Sequence, residues 1–492
     1  MVANPKQDKD PATKSVKINM ILNSIKGVMA VLFPLVSFPY ISRVLGAEQI
    51  GKYNFSNSIV SYFSLLAGLG IAAYARREGS IIRKEREKIS SFSSEMLSIN
   101  LLTTLISYAT LFCVLLLVPF LRNYSIIILV LSLSILLNTI AVEWIYMIFE
   151  DYAYITIRSI VFQLLALIAL FLFVKEREDL IKYTWITVIA SAGSSLLNFI
   201  HSRRYVDFRL TLKLNLKKHL KSILVFWAST VAITIYVSSD ITILGFICDD
   251  YVVGIYSVSV KIYTIVKNIL ASAIVVVIPR LCFYIGEKNE SDFKKTAVDT
   301  VNTIFTITIP ALVGICVYCK EIVLFVGGNE FADAYKSLFL LSISLFCYMF
   351  AFFWGQCVLI PLHKERIALF ASVASAISNI ILNFVFIPFL QESAAAITTI
   401  IGEGTAAIIC MYYSRRFVRL PNTTNTILKT LIGCLSIILI TISSKFIIED
   451  SLLRLIVGVV TSVVVYFLLE VLMKNESMLV LVKHVIKRGG DH

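Results

Sequence analysis

The chain has 492 residues, 58% of them hydrophobic and 16% charged, with a mean hydropathy of +0.83; a soluble globule carries roughly 25% charged residues, so a polytopic membrane protein is implied. The formal net charge of +13 would suggest a nucleic-acid partner in a soluble chain, but most of the Lys and Arg fall in alternate loops, so no such partner is expected. The cysteines lie in or beside apolar runs and read as small apolar side chains. Cys316 and Cys319 have no second ligand pair, the histidines do not cluster, and no metal site is expected.

A bilayer crossing needs about 20 mostly apolar residues, and about fourteen such runs are present. A solvated tail at 1–17 precedes spans near 19–40 and 51–74, and the basic segment 76–88 follows them. Spans 3 to 6 lie near 95–119, 124–148, 154–174 and 181–201. A strongly basic linker occupies 203–221. Spans 7 to 12 lie near 222–247, 252–279, 298–319, 336–360, 365–388 and 393–413. Spans 13 and 14 fall within 425–473, and a basic tail covers 474–492. With the N-terminus cytoplasmic, most Lys and Arg fall on the inner side, as the positive-inside rule expects, and both termini are then cytoplasmic. The outer segments are short and leave no room for an extracytoplasmic domain.

Span 2 opens with RVLGAEQIGKYNFSNSIVSYF (Arg43 to Phe63), and span 8 with TILGFICDDYVVGIYSVSVKIY (Thr242 to Tyr263). Both run Leu-Gly, a short polar turn, Gly-x-Tyr and then a helix. Six spans separate them, so the copies share membrane orientation, as in parallel-repeat transporters. The expected fold is all-α, with two pseudo-symmetric six-helix lobes at 18–202 and 222–414 followed by two C-terminal helices.

In span 8, Ser257, Lys261, Thr264, Asn268 and Ser272 step by four, three, four and four, which puts them on one helical face. Aligning Tyr53 with Tyr256 sets Asn54, Ser58 and Ser61 against Ser257, Lys261 and Thr264. Two polar faces, one per lobe, read either as the lining of a water-filled cavity or as interhelical hydrogen bonding. Lys261, near mid-membrane, favours the cavity, because an intramembrane lysine is costly unless it faces protein or water.

Lys26 shares the face of Asn19 and Asn23 in span 1. Lys267 lies on another face from Lys261 and reads as a side chain that snorkels to the headgroups. Asp240 either pairs with a cavity lysine or titrates during transport, with pairing the plainer option. Glu403, flanked by glycines, either packs or carries a proton. Glu143 and Arg158 sit near headgroup depth. Pro34 and Pro39 predict a bend in span 1. No phosphate-binding loop is present, so ATP hydrolysis is not expected. A cationic cavity without an energy-coupling domain implies a secondary transporter for an anionic substrate, not an enzyme.

PYISRVLGAEQIGKYNFSNSIVSYFSLLAGLGIAAYARRE (Pro39 to Glu78), EWIYMIFEDYAYITIRS (Glu143 to Ser159), SSDITILGF with VVGIYSVSVKIY, and the later IPRL together resemble the Wzx-type polysaccharide flippases. These belong to the multidrug, oligosaccharidyl-lipid and polysaccharide exporter superfamily. The resemblance runs from about residue 18 to 473 and is strongest over spans 1, 2, 4, 5, 7 and 8. Met147-Ile148-Phe149 departs from the Gln-Gly pair of many relatives. The resemblance implies translocation of undecaprenyl-diphosphate-linked oligosaccharide across the bacterial cytoplasmic (inner) membrane. It also implies coupling to a proton or sodium gradient, with Asp240 and Glu403 as candidate carriers. Polysaccharide polymerase and chain-length proteins are implied partners alongside membrane lipids. On this reading Lys261 and Lys26 hold the diphosphate, and Ser257, Thr264, Asn268, Asn54, Ser58 and Ser61 face the glycan. The rival readings are a lipid II flippase or another cation-coupled exporter of the superfamily and, from a different class, a membrane glycosyltransferase or polysaccharide polymerase.

Overall fold

The structure, a computed structural model, describes residues 16–209, 211, 215–418 and 423–479. The Lys26 side chain and the tail positions 1–15 and 480–492 lie outside the described residues. The described chain is helical throughout, with no strand among the described residues. Its helices are α1 (Val16–Gly68), α2 (Ile71–Ile82), α3 (Arg86–Leu117), α4 (Ser125–Ala141), α5 (Glu143–Ile148), α6 (Tyr152–Phe173), α7 (Leu180–Ala192) and α8 (Ser195–Ser202). They continue as α9 (Leu216–Ile247), α10 (Asp250–Val275), α11 (Ile278–Gly286), α12 (Glu290–Val317), α13 (Cys319–Val326), α14 (Ala334–Phe352), α15 (Glu365–Ser414), α16 (Thr424–Ile447) and α17 (Ser451–Leu472). Among the described residues eleven helical stretches are long and apolar enough to cross a membrane. Large apolar side chains cover their outer faces, Leu117, Phe389 and Phe446 being 79%, 81% and 87% exposed. Such a surface suits hydrocarbon and not water.

The described residues form two compact units. One comprises the chain up to Leu45 and Phe55–Thr234; the other comprises Gly46–Asn54 and the chain from Ile235 onward. In the first, Ile71, Ala75, Ile89, Met96, Trp144 and Ile145 bring α2, α3 and α5 into one core, which Val206 and Ile223 extend toward the linker and α9. The linker is strapped down by a ladder of serines. Ser90, Ser94 and Ser98 of α3 accept from the backbone N–H groups of Asp207, Arg209 and Thr211 at 3.0, 2.9 and 3.1 Å. Four helical residues advance about 6.0 Å and two extended residues about 6.6 Å, so the two periods run nearly in register. The Ser94 and Ser98 hydroxyls keep their own protons on the carbonyls one turn back.

In the second unit α10, α12, α14 and α15 pack together, and α16 and α17 lie against α12 through Cys434, Ile437, Tyr466 and Val313. The Gly46–Asn54 piece of α1 crosses the start of α10 at two glycines of the repeated motif. A Cβ at Gly51 would stand 1.7 Å from the Asp250 carbonyl oxygen, and one at Gly254 would stand 1.9 Å from that of Ala47. Each copy of Gly-x-Tyr therefore supplies the bare backbone that lets the other approach. The bend expected at Pro34 and Pro39 is not where the dihedrals break, for helical values persist there and the interruption falls at Gly46 (φ 77°). That conformation suits glycine, and the adjacent Ala47 N–H is satisfied by Glu330 Oε1 at 2.9 Å.

Candidate functional site

Three helices of the second unit meet around Asp240. α9 contributes Tyr236, Ser239 and Asp240, and α10 contributes Tyr256, Tyr263 and Lys267. α15 contributes Asn379 and Asn383 before its break at Gln391, and Thr398, Thr399 and Glu403 after it. The break at Gln391 (φ 48°) divides α15, so residues from its two segments reach the same carboxylate.

Asp240 is 9% exposed. Its Oδ2 accepts from the Tyr256 hydroxyl at 2.8 Å and from Thr399 Oγ1 at 2.9 Å, and its Oδ1 accepts from Asn383 Nδ2 at 2.6 Å. A second tier holds these donors in place. Asn383 Nδ2 also reaches Asn379 Oδ1 at 3.2 Å, Ser239 donates to the same oxygen at 3.3 Å, and Thr398 donates to Asn383 Oδ1. Every one of these partners is neutral, so the pairing of Asp240 with a cavity lysine is not what the structure contains. A carboxylate buried among two donating hydroxyls and a donating amide NH2, with no cationic partner, is an intramembrane acid of the kind that can take up a proton.

Beside this network Lys267 Nζ lies 3.2 Å from Glu403 Oε1, their side chains being 19% and 7% exposed. The ammonium also sits 3.8 Å from the Tyr348 ring centroid, a cation–π contact that tethers it further. Lys267 is therefore held inside the protein and does not snorkel, because a carboxylate and an aromatic face lie within reach. Among the described residues the Tyr236 hydroxyl, buried beside Glu403, makes no hydrogen bond of ordinary geometry. Tyr236, Asp240, Tyr256, Lys267, Thr399 and Glu403 border one cavity of about 60 Å³. A single water needs about 10–15 Å³, so this space suits a small ion with a few waters and excludes a sugar.

The span 8 stripe is graded along α10. Ser257 is buried with its hydroxyl on the Val253 carbonyl at 2.7 Å, Lys261 is half-buried, and Thr264, Asn268 and Ser272 are exposed. Asn54 Nδ2 donates to the Ile50 carbonyl, Ser58 Oγ to that of Phe55, and Ser61 Oγ to that of Ser58. Asn54 belongs to the second unit, Ser58 and Ser61 to the first. Asp240 and Glu403, singled out separately in the sequence, border the same cavity. Glu143 and Arg158 form an ion pair at 2.7 Å. Sequence reasoning missed the ring around Asp240 and the partnership of Lys267. A signal existed in Asn379-x-x-x-Asn383, an i, i+4 amide pair inside an apolar run, and in Thr399, four residues before Glu403. Among the described residues no cluster of three His, Cys, Asp or Glu is placed to bind a metal ion.

Apolar helix surfaces enclosing polar intramembrane networks define a multi-pass membrane protein of the transporter class. Residues 16–283 match the family described as polysaccharide biosynthesis protein, and this chain belongs to that family, among the Wzx-type flippases of the multidrug, oligosaccharidyl-lipid and polysaccharide exporter superfamily. It is a multi-pass protein of the bacterial inner membrane, a transporter and not an enzyme. It is 22% identical to a putative O-antigen transporter of Escherichia coli K12 over 82% of this chain and 97% of that one. It is also 22% identical to a probable low-salt glycan biosynthesis flippase, Agl15, of Haloferax volcanii over 46% of this chain and 48% of the other. Its fold is similar to that of a solved structure of the lipid II flippase MurJ, described as an inward closed conformation, with a TM-score of 0.79 at 16% identity over 93% of this chain and 99% of that one.

Proposed function

We propose that this chain flips undecaprenyl-diphosphate-linked oligosaccharide repeat units from the inner to the outer leaflet by alternating access. The O-antigen transporter and glycan flippase named among its relatives support the substrate class. The observation that carries the reading is the face of α10, on which half-buried Lys261 is followed by exposed Thr264 and Asn268 in a helix that is otherwise mostly apolar. Carrying a diphosphate and several sugars through hydrocarbon is prohibitive unless charge is neutralised and hydroxyls find partners. Lys261 and Lys26 supply the positive charge. Thr264, Asn268, Asn54 and Ser61 offer polar contacts to sugars, and Ser257 and Ser58 complete the polar faces. Asp240, buried among the Tyr256, Thr399 and Asn383 donors, carries the coupling proton or sodium ion, and Glu403 exchanges its hold on Lys267 during the cycle. The polysaccharide polymerase and chain-length machinery receive the product.

The same reading gives fourteen spans if α1 is divided at Gly46, α15 is divided at Gln391 and α9 is counted. These form two related six-span lobes, 18–202 and 222–414, joined by the cytoplasmic linker 203–221 and followed by spans 13 and 14 at 425–473. The tails 1–17 and 474–492 are cytoplasmic, as the Lys and Arg of the inner segments favour.

The test is complementation of a flippase-null strain that makes the cognate glycan, at matched membrane levels, with surface polymer and accumulated lipid-linked precursor as readouts. Lys261→Ala is expected to lose polymer and accumulate precursor, while Lys261→Arg and the surface control Lys84→Ala retain activity. Normal transport by Lys261→Ala would remove Lys261 from the site.

A further inference from the structure

A second cavity in the second unit lies away from Asp240. It encloses about 600 Å³, ten times the space beside Lys267. Its walls are the C-terminal end of α12, the start of α13 and of α14, and the C-terminal part of α16. Lys336 is the third residue of α14 and Lys445 the third from the end of α16, so both lie within about 3 Å of a helix terminus. That places the mouth at a membrane–water interface, where lipid headgroups lie.

The cavity is polar at its mouth and apolar below. Lys320, Lys336 and Lys445 line it near the helix termini, and Phe339, Ile442 and Ile438, about one to two turns farther along their helices, give it an apolar floor on which Phe339 and Ile442 are 43% and 49% exposed. From Lys445 to Ile438 along α16 is about 10 Å at the helical rise, ending in residues that give a water no hydrogen bond. Glu321 is the acid among the lining residues, and it is 6% exposed and turned to Arg454 at 3.6 Å. The charge offered to a ligand is therefore positive. Lys320 lies 4.8 Å from the Tyr335 ring centroid, and Lys336 is shared with Asp333 at 3.2 Å. Lys445 has no hydrogen-bond or ion-pair partner among the described residues and is exposed. A free phosphate would use the lysines and leave the floor bare. An uncharged lipid would use the floor and leave the lysines unanswered.

We propose that this cavity is a binding site for one anionic phospholipid, its phosphate held by Lys320, Lys336 and Lys445 and an acyl chain laid over Phe339, Ile442 and Ile438. The site is distinct from the Asp240 network and independent of the identity of the transported glycan. It makes the membrane's own anionic lipid a bound component of the protein, fixing α16 against α12 and α14.

Native mass spectrometry of the purified full chain tests this, with phosphatidylglycerol and phosphatidylcholine of matched acyl chains titrated in turn. Wild type is expected to retain phosphatidylglycerol preferentially. Lys320→Ala with Lys445→Ala should lower its affinity about 25-fold, about fivefold for each lysine near an anionic headgroup, and leave phosphatidylcholine unchanged. The double control Lys294→Ala with Lys295→Ala, which also removes two charges, should bind as wild type does. Equal retention of the two lipids, or equal retention by wild type and the Lys320/Lys445 variant, overturns the proposal. Displacement of phosphatidylglycerol by glycerol 3-phosphate would assign the site to a free phosphate, and displacement by equimolar undecaprenyl phosphate would assign it to the carrier lipid; either overturns it. A melting temperature of the double variant equal to wild type in phosphatidylcholine separates lost binding from lost folding.

Discussion

Glu403→Gln removes the anion that holds Lys267. The two groups are 3.2 Å apart, with side chains 7% and 19% exposed, and at an effective dielectric near 20 two unit charges at that distance attract by about 5 kcal/mol. Removing one member of a buried pair strands the other and typically costs about 3–5 kcal/mol, whereas replacing both by apolar groups of similar size is often neutral. Glu403→Gln is therefore expected to cost about 3 kcal/mol, at the lower end because the Tyr348 ring still faces the ammonium at 3.8 Å. The double variant Glu403→Leu/Lys267→Met is expected to be more stable than Glu403→Gln. The assay is unfolding in mixed micelles titrated with dodecyl sulfate, followed by tryptophan fluorescence, with the two apolar single variants completing the cycle. Costs for Glu403→Leu and Lys267→Met that add to within about 0.5 kcal/mol in the double variant would show that the groups do not interact, and the reasoning would fail.

Gly254→Ala should be more damaging than alanine at an ordinary helical glycine, because its methyl meets the Ala47 backbone at 1.9 Å; a loss of at least 1–3 kcal/mol is expected from overpacking, and an unchanged melting temperature would contradict the crossing. Asp240→Asn and Thr399→Val should abolish the ion dependence of transport while leaving membrane levels near normal, checked by polymer output under proton or sodium gradients of varied size. Ser94→Ala removes the acceptor for the Arg209 N–H at 2.9 Å, worth about 1 kcal/mol, and should speed trypsin cleavage at the basic linker severalfold.

Much of the architecture was legible because membrane helices obey a strict rule. A segment that satisfies its own backbone and faces lipid must be long and apolar, and runs of that kind stand out. The repeat was legible too, since Gly51 and Gly254 recur at the same offset before Tyr53 and Tyr256. Their reason was not, because the approach of the Ala47 and Asp250 carbonyls is a tertiary fact. Asp240 and Glu403 stood out as intramembrane acids, yet that both border one cavity depends on how α9 and α15 pack. Lys267 was misread for the same cause: depth along one helix suggested snorkelling, and only the fold brings Glu403 from a distant helix to meet it. Helical periodicity placed Thr264 and Asn268 on the face of Lys261, while the burial of Ser257 depends on neighbouring helices.

The central claim is that the chain turns over lipid-linked glycan and makes no new bond. The most direct measurement reconstitutes the purified protein into vesicles with a lipid-linked oligosaccharide from its native strain, and follows accessibility of the glycan to a membrane-impermeant glycosidase. Protein-containing vesicles are predicted to expose the inner pool in a gradient-dependent manner, with the lipid-linked oligosaccharide unchanged in length and Lys261→Ala vesicles slow. Exposure no faster than in empty vesicles, with the protein folded and correctly inserted, or a lengthened glycan product, would contradict the account.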